Sequence, residues 1–144
     1  MTAGQAGYSG APLARKLGIK AGHRVVLDGA PDGWRIPELP AGAELGRGGD
    51  GRADVVVAFF REAADLAERL PELGGRIFPG GAVWVAWPRR AAGHTSDILE
   101  QTIRDVALPS GLVDVKVAAL DHDWSGLRLV WRKELRGGSW PPRR

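Results

Sequence analysis

The chain has no cysteine among its 144 residues. Disulfides, thiol nucleophiles, thiolate zinc sites and iron–sulfur clusters are excluded together. Histidine is nearly as scarce: His23, His94 and His122 lie far apart, and no two have the spacing that grips a metal on one helix or strand. No apolar run approaches the ~20 residues that cross a bilayer. The opening Met1-Thr-Ala-Gly-Gln-Ala-Gly7 lacks the basic start and apolar centre of a secretory signal. A soluble, cytoplasmic protein without a membrane partner is the expectation. A dominant sign of charge is missing too, since 20 Lys and Arg face 17 Asp and Glu. The one dense basic run, Arg132-Lys133 to Arg143-Arg144, reads as a solvated tail, so no nucleic-acid partner is expected. No GxxxxGK loop cradles a phosphate, and Ser9 and Ser125 lack a base and an elbow.

What is present is a single domain's length and a clear alternation of elements. Residues 1–11 are small and polar and are expected to form a flexible N-terminus. Residues 12–136 form one α/β domain, and 137–144 a flexible tail. Pro12 opens a short helix through Leu17, which Gly18 ends. Arg24–Asp28 reads as the first strand. Gly29–Ala53 holds ten glycines and prolines and is mostly loop, with a short strand around Ala43-Glu-Leu45. Asp54–Ala58 is a continuous apolar run between turn signals, which suits a strand covered on both faces. Glu62–Leu73 carries Leu66, Leu70 and Leu73 on one helical stripe. Ala82–Ala86 is the next strand, with Trp84 in the core. Thr95 or Ser96 caps a helix over Asp97–Leu108, which Pro109 and Gly111 stop. Leu112–Leu120 and Gly126–Trp131 form a hairpin around Asp121-His-Asp-Trp124. Trp131 and Trp140 are expected to be the more exposed tryptophans.

From Asp54 onward this order resembles the C-terminal half of class I methyltransferases, and Leu17–Gly29 resembles the approach to their glycine loop. The resemblance implies a three-layer, Rossmann-like fold with a mostly parallel sheet of five or six strands ending in a β-hairpin. Two departures stand against a full cofactor seat. Asp28-Gly-Ala-Pro-Asp-Gly33 is not an alternating-glycine loop, and Pro31 has no N–H to offer. Only 25 residues separate Gly29 from Asp54, fewer than one crossover unit of about 30 residues needs. Gly7-Tyr-Ser-Gly10, Pro12-Leu13, Lys16-Leu-Gly-Ile19, Gly29-Ala-Pro31 with Gly33-Trp34, Trp84–Pro88 and Trp124-Ser-Gly-Leu127 are similar to an actinobacterial family of unknown function. That likeness implies no activity. The chain departs from the family's pattern at Asp28 and Arg89.

Ligands of open α/β sheets sit beyond the C-terminal strand ends. That rim is expected to gather Asp28–Trp34, Phe59–Arg61, Trp87–Arg90 and Asp121–Trp124. Candidate ligand-binding residues are Gly29, Pro31, Gly33, Trp34, Trp87, Arg89 and Trp124. The three tryptophans either wall a pocket with Arg89 and Arg90 as anion-binding cations, or fill the space that missing crossovers leave, since each ring buries about 150–250 Å2. The second reading is favoured. His122 could meet Asp28 or Asp97 as an acid–base pair, although a solvated loop histidine is far commoner. Asp97 with Glu100, or Asp121 with Asp123, could hold a cation, but as helix-start and turn residues they need no such role. No catalytic residue, metal or cofactor is expected.

Three functions remain open. The first is a non-catalytic domain that binds a small molecule or a protein partner through a degenerate cofactor loop. The second is a minimal methyltransferase-like enzyme, with adenosylmethionine as cofactor in that case alone. The third is a structural protein that forms a homodimer through its hairpin edge.

Overall fold

The computed structural model describes residues 12–139 and 141. Tyr8, Ser9, the Gly7–Gly10 motif and Trp140 lie outside the described residues.

Among the described residues, six strands and three α-helices form the domain. The strands are β1 (Arg24–Asp28), β2 (Glu44–Arg47), β3 (Val55–Phe59), β4 (Ala82–Pro88), β5 (Leu112–Ala119) and β6 (Trp124–Trp131). The helices are α1 (Leu13–Leu17), α2 (Ala63–Ile77) and α3 (Glu100–Ala107). The sheet runs β2-β1-β3-β4-β6-β5. Its first four strands are parallel, while β6 is antiparallel to β4 and β5 to β6. The expected α/β sheet with a closing hairpin is what forms.

The central strands explain the order. Every residue of β3 and of β4 is buried, because apolar side chains on both faces need cover on both. Two separate cores supply it. Val56, Val83, Val85 and Trp87 pack beneath Leu66, Leu70, Leu73 and Ile77 of α2 and Ile103 of α3. On the opposite face, Val55, Val57, Trp84 and Ala86 pack against Leu17 of α1 and against Trp34 and Ile36 of the β1–β2 connection. The second layer is therefore thin: one five-residue helix and a loop do the work of crossover helices.

Three elements differ from expectation for identifiable reasons. Helix α2 continues past Leu73 through Gly74 and Gly75 to Ile77. A Cβ on Gly74 would lie 3.4 Å from both Leu112 Cδ1 and Trp131 Cζ2, so bare backbone lets the last turn settle on β5 and β6. Helix α3 begins at Glu100 rather than at Asp97, because Ser96, one of the two expected caps, and Asp97, the expected first residue, bond to other partners. The Asp97 carboxylate accepts from the Ala63 N–H of α2 at 2.8 Å, and the Ser96 hydroxyl accepts from the Ile98 N–H at 3.1 Å. The Leu99 N–H donates instead to the Thr102 hydroxyl at 3.1 Å. Trp131 is buried rather than exposed. Its indole N–H donates to the Gly74 carbonyl at 2.9 Å, and its ring meets Phe78 edge-on at 5.4 Å. Trp84 is core as expected, fully buried, with its indole donating to the Leu17 carbonyl at 3.0 Å.

Candidate ligand site at the strand switch point

The chain leaves β1 toward β2 on one side, and β3 leads to β4 on the other. The crevice beyond the C-terminal ends of β1 and β3 is thus the topological switch point, where open α/β sheets take ligands. Four groups of residues reach it.

The first is the turn after β1. Gly29 has φ +70°, and a Cβ there would lie 3.2 Å from the Phe59 carbonyl oxygen. Its bareness serves the approach of β3. The Trp34 N–H closes a turn onto the Pro31 carbonyl at 3.0 Å. Gly33, at φ +79°, has open space where a Cβ would stand. No helix follows this turn, so no row of free helix-start amides points at the crevice. The chain runs on directly to β2.

The second is an aromatic cluster. Phe59 stands between Trp34 and Trp124, with ring centroids 4.8 and 5.0 Å away and planes near perpendicular. All three rings are buried. The Trp34 indole donates to Asp121 at 2.8 Å, and the other oxygen of that carboxylate accepts from the N–H groups of Asp123 and Trp124 at 2.8 Å each. Asp121 is thereby a turn residue and an anchor. Trp87 does not join this cluster, because strand alternation sends it to the α2–α3 face. The structure brings together Trp34 and Trp124 but leaves Trp87 on the other side of the sheet.

The third is a carboxylate–guanidinium pair. Asp28, at the end of β1, is buried, and Arg69 of α2 clasps it with two parallel bonds, Nη1 to Oδ1 and Nη2 to Oδ2, the latter at 2.8 Å. Bonding to Asp28 holds the Arg69 guanidinium above its ordinary value, against the opposing pull of burial. Glu72 adds a longer contact to Arg69 at 3.8 Å.

The fourth is the start of α2. Phe59, Phe60, Arg61, Glu62, Asp65 and Arg69 line a hollow of about 390 Å3. The Arg61 guanidinium lies over the Trp124 ring, 5.0 Å from its centroid, a distance at which the ring face attracts a cation. Glu62, Asp65 and Arg69 fall at helical spacing on the rim side of α2. That spacing was the available signal for them, and the sequence reading stopped at Arg61.

The remaining candidates sit away from the hollow. Arg89 donates to the His122 carbonyl at 2.8 Å, so its charge is tied to the hairpin loop. His122 is exposed and meets neither Asp28 nor Asp97, which are held by Arg69 and the Ala63 N–H. The histidine that meets an acid is His94, 2.9 Å from Asp123. That hydrogen bond is the main cause holding the Asp123 carboxyl below the usual carboxylate range. His23 accepts from the Lys20 N–H at 3.1 Å in the turn before β1. Glu100 pairs with Arg104 at 2.9 Å. Among the described residues no three metal-ligating side chains cluster, and no helix is long and apolar enough to cross a membrane.

The fold is similar to that of several solved structures. A SAM-dependent methyltransferase from Aquifex aeolicus matches with TM-score 0.54 at 12% identity, over 81% of this chain and 86% of that one. The fibrillarin pre-rRNA processing protein of Methanococcus jannaschii matches with TM-score 0.54 at 15% identity, over 87% and 70%. Aeropyrum pernix fibrillarin, solved with natively bound S-adenosyl-L-methionine, matches with TM-score 0.50 at 16% identity, over 82% and 73%. In architecture the chain is a methyltransferase-like Rossmann domain. No curated protein matches its sequence. The family model for DUF3052, described as a protein of unknown function, matches residues 39–133, and the chain belongs to that family.

Proposed function

We propose that this chain is a non-catalytic ligand-binding domain whose small polar ligand sits in the hollow between β3 and α2. One observation carries the reading. The ground beyond β1 is filled by the chain's own groups: Trp34 and Trp124 around Phe59, and Arg69 on Asp28. The residues of the β1 turn do not fit adenosylmethionine in the manner of a glycine loop. Pro31 has no N–H, the Trp34 N–H is spent on its own turn, and the space beside Gly29 belongs to Phe59. What stays open is a hollow of ordinary ligand-site size, lined by the cation of Arg61 and the carboxylates of Glu62 and Asp65. Such a lining suits a molecule bearing both signs of charge.

A melting screen tests this. A saturating ligand at a hundredfold excess over Kd stabilises by about 2.7 kcal/mol. The screen uses adenosylmethionine, its demethylated product, nucleotides and acyl-CoA compounds. Arg61→Ala and Asp65→Asn, at exposed positions, should abolish the shift while costing the unliganded protein no more than about 1 kcal/mol, the loss of the Arg61 contact with Trp124 included. A shift that survives both substitutions would place the ligand elsewhere and end the proposal.

The methyltransferase-like fold keeps a second reading in play, in which the same hollow holds adenosylmethionine. A shift by adenosylmethionine that is lost in Asp65→Asn, together with methyl transfer to an acceptor, would replace the first reading with this one.

A further inference from the structure

On the face of the sheet that carries α1, the hairpin sets two cations side by side. Lys116 on β5 and Arg128 on β6 are register partners. Arg128 opposes Trp84 across β4 and β6, and Trp84 belongs to the core of the α1 face. Directly opposed side chains in an antiparallel pair stand about 5 Å apart at Cβ, and like charges there are destabilising. Arg136, just after β6, donates its Nε–H to the Trp131 carbonyl at 2.8 Å. Lys16 of α1 is buried and donates to the Ala119 carbonyl at 2.9 Å, on the same strand as Lys116. The Arg128 guanidinium lies beside Gly18 at the end of α1, where a Cβ would be 3.9 Å from Nε and Nη2.

None of the ion pairs among the described residues includes Lys116, Arg128 or Arg136. The end of α1 offers only the partial charge of carbonyls, and that helix has five residues. Burial lowers Arg128, and the neighbouring charge of Arg136 lowers it further. Burial likewise lowers Lys16, with Lys116 adding to it. A half-buried guanidinium that pairs with no acid among the described residues, set opposite a lysine, is an arrangement that a bound anion would relieve.

We propose that Lys116 and Arg128 form a binding face for a multiply charged phosphoryl group, such as a phosphomonoester or diphosphate carries. Arg128 supplies the planar fork that matches two phosphate oxygens, and Lys116 supplies a point charge beside it. This face is separate from the hollow, whose lining comes from β3 and α2. The two readings fail independently.

Calorimetric titration of the full chain with inorganic pyrophosphate, at ionic strength held constant with sodium chloride, tests the proposal. Saturable binding is expected, weakened about tenfold or more in Arg128→Gln, the loss expected when a charge-assisted bond is removed. Lys116→Glu guards against a merely misfolded variant. It supplies the missing acid at an exposed position, so it should raise the melting temperature of the unliganded protein while abolishing pyrophosphate binding. Absence of saturable binding, or equal binding by the parent and both variants, would overturn the proposal. A twelve-residue oligothymidylate is the second arm. Binding of that strand without binding of pyrophosphate would likewise overturn the assignment to a small phosphoryl ligand.

Discussion

The Trp34 indole and the Asp121 carboxylate, 87 positions apart, are joined by a 2.8 Å hydrogen bond. The turn after the first strand is thereby tied to the hairpin loop, over the tops of β3 and β4. Trp34→Ala removes a buried ring and a donor, and should cost about 3–5 kcal/mol in urea unfolding. Asp121→Ala leaves the Trp34 indole and the N–H groups of Asp123 and Trp124 without their acceptor. Its expected cost is about 1–3 kcal/mol, since parts of the loop can turn to water. A Trp34→Ala variant as stable as the parent would show that the ring is not a structural plug.

Asp28→Asn should strand the Arg69 guanidinium at the mouth of the crevice. Breaking a fully buried pair costs about 3–5 kcal/mol. Arg69 keeps 36% of its side chain exposed, so water offsets part of that, and about 1–3 kcal/mol is expected. The double variant Asp28→Asn with Arg69→Met should recover part of the loss. Chemical denaturation of the parent, both single variants and the double variant closes the cycle.

Gly80 and Gly81 should respond oppositely to alanine. A Cβ on Gly81 would stand 2.6 Å from the Asp54 carbonyl oxygen and 3.0 Å from Ile77, whereas one on Gly80 meets nothing within 4 Å. Gly81→Ala should therefore cost about 1–3 kcal/mol, the usual range for forced overpacking. Gly80→Ala should be neutral or slightly stabilising. Paired thermal melts decide it.

The Asp123 carboxyl, held below the ordinary range chiefly by its bond to His94, should titrate lower in the parent than in His94→Ala. Carbon-detected NMR of the carboxyl reads this directly. The sign follows from the direction of the shift. A depressed folded-state value contributes stability that is complete above the unfolded carboxylate's value and disappears as pH falls through the folded one. The link between the loop after β4 and the hairpin loop should therefore loosen on acidification, and His94→Ala should weaken that dependence, with His122 and Arg89 sustaining the remainder.

Much of the architecture was legible because local pattern and tertiary need agree along the centre of the sheet. Asp54–Ala58 and Ala82–Ala86 are apolar on both faces between turn signals, and both are interior strands, parallel to each other. Asp121–Trp124 carries turn residues between two apolar runs, and it closes the hairpin. The site was less legible, since its parts meet through space. Asp28 and Arg69 are 41 residues apart, and nothing near Asp28 names its partner. Trp87 sits beside the rim in sequence but is carried to the far face by strand alternation. Trp131, followed at once by Arg132 and Lys133, reads as exposed until the bare backbone of Gly74 lets its ring in. The start of α3 was misplaced because Ser96 and Asp97 carry helix-cap chemistry and use it on other partners.

The indoles of Trp84 and Trp131 each donate to a carbonyl at the end of a helix, one on either side of the sheet: Leu17 of α1 and Gly74 of α2. Each layer of the sandwich thus carries its own native fluorophore, latched to the element that covers it. Detachment of the thin α1 layer would wet Trp84 and leave Trp131 dry, and loosening of the α2 layer would do the reverse. Single-tryptophan emission could follow the two layers separately, without any added dye.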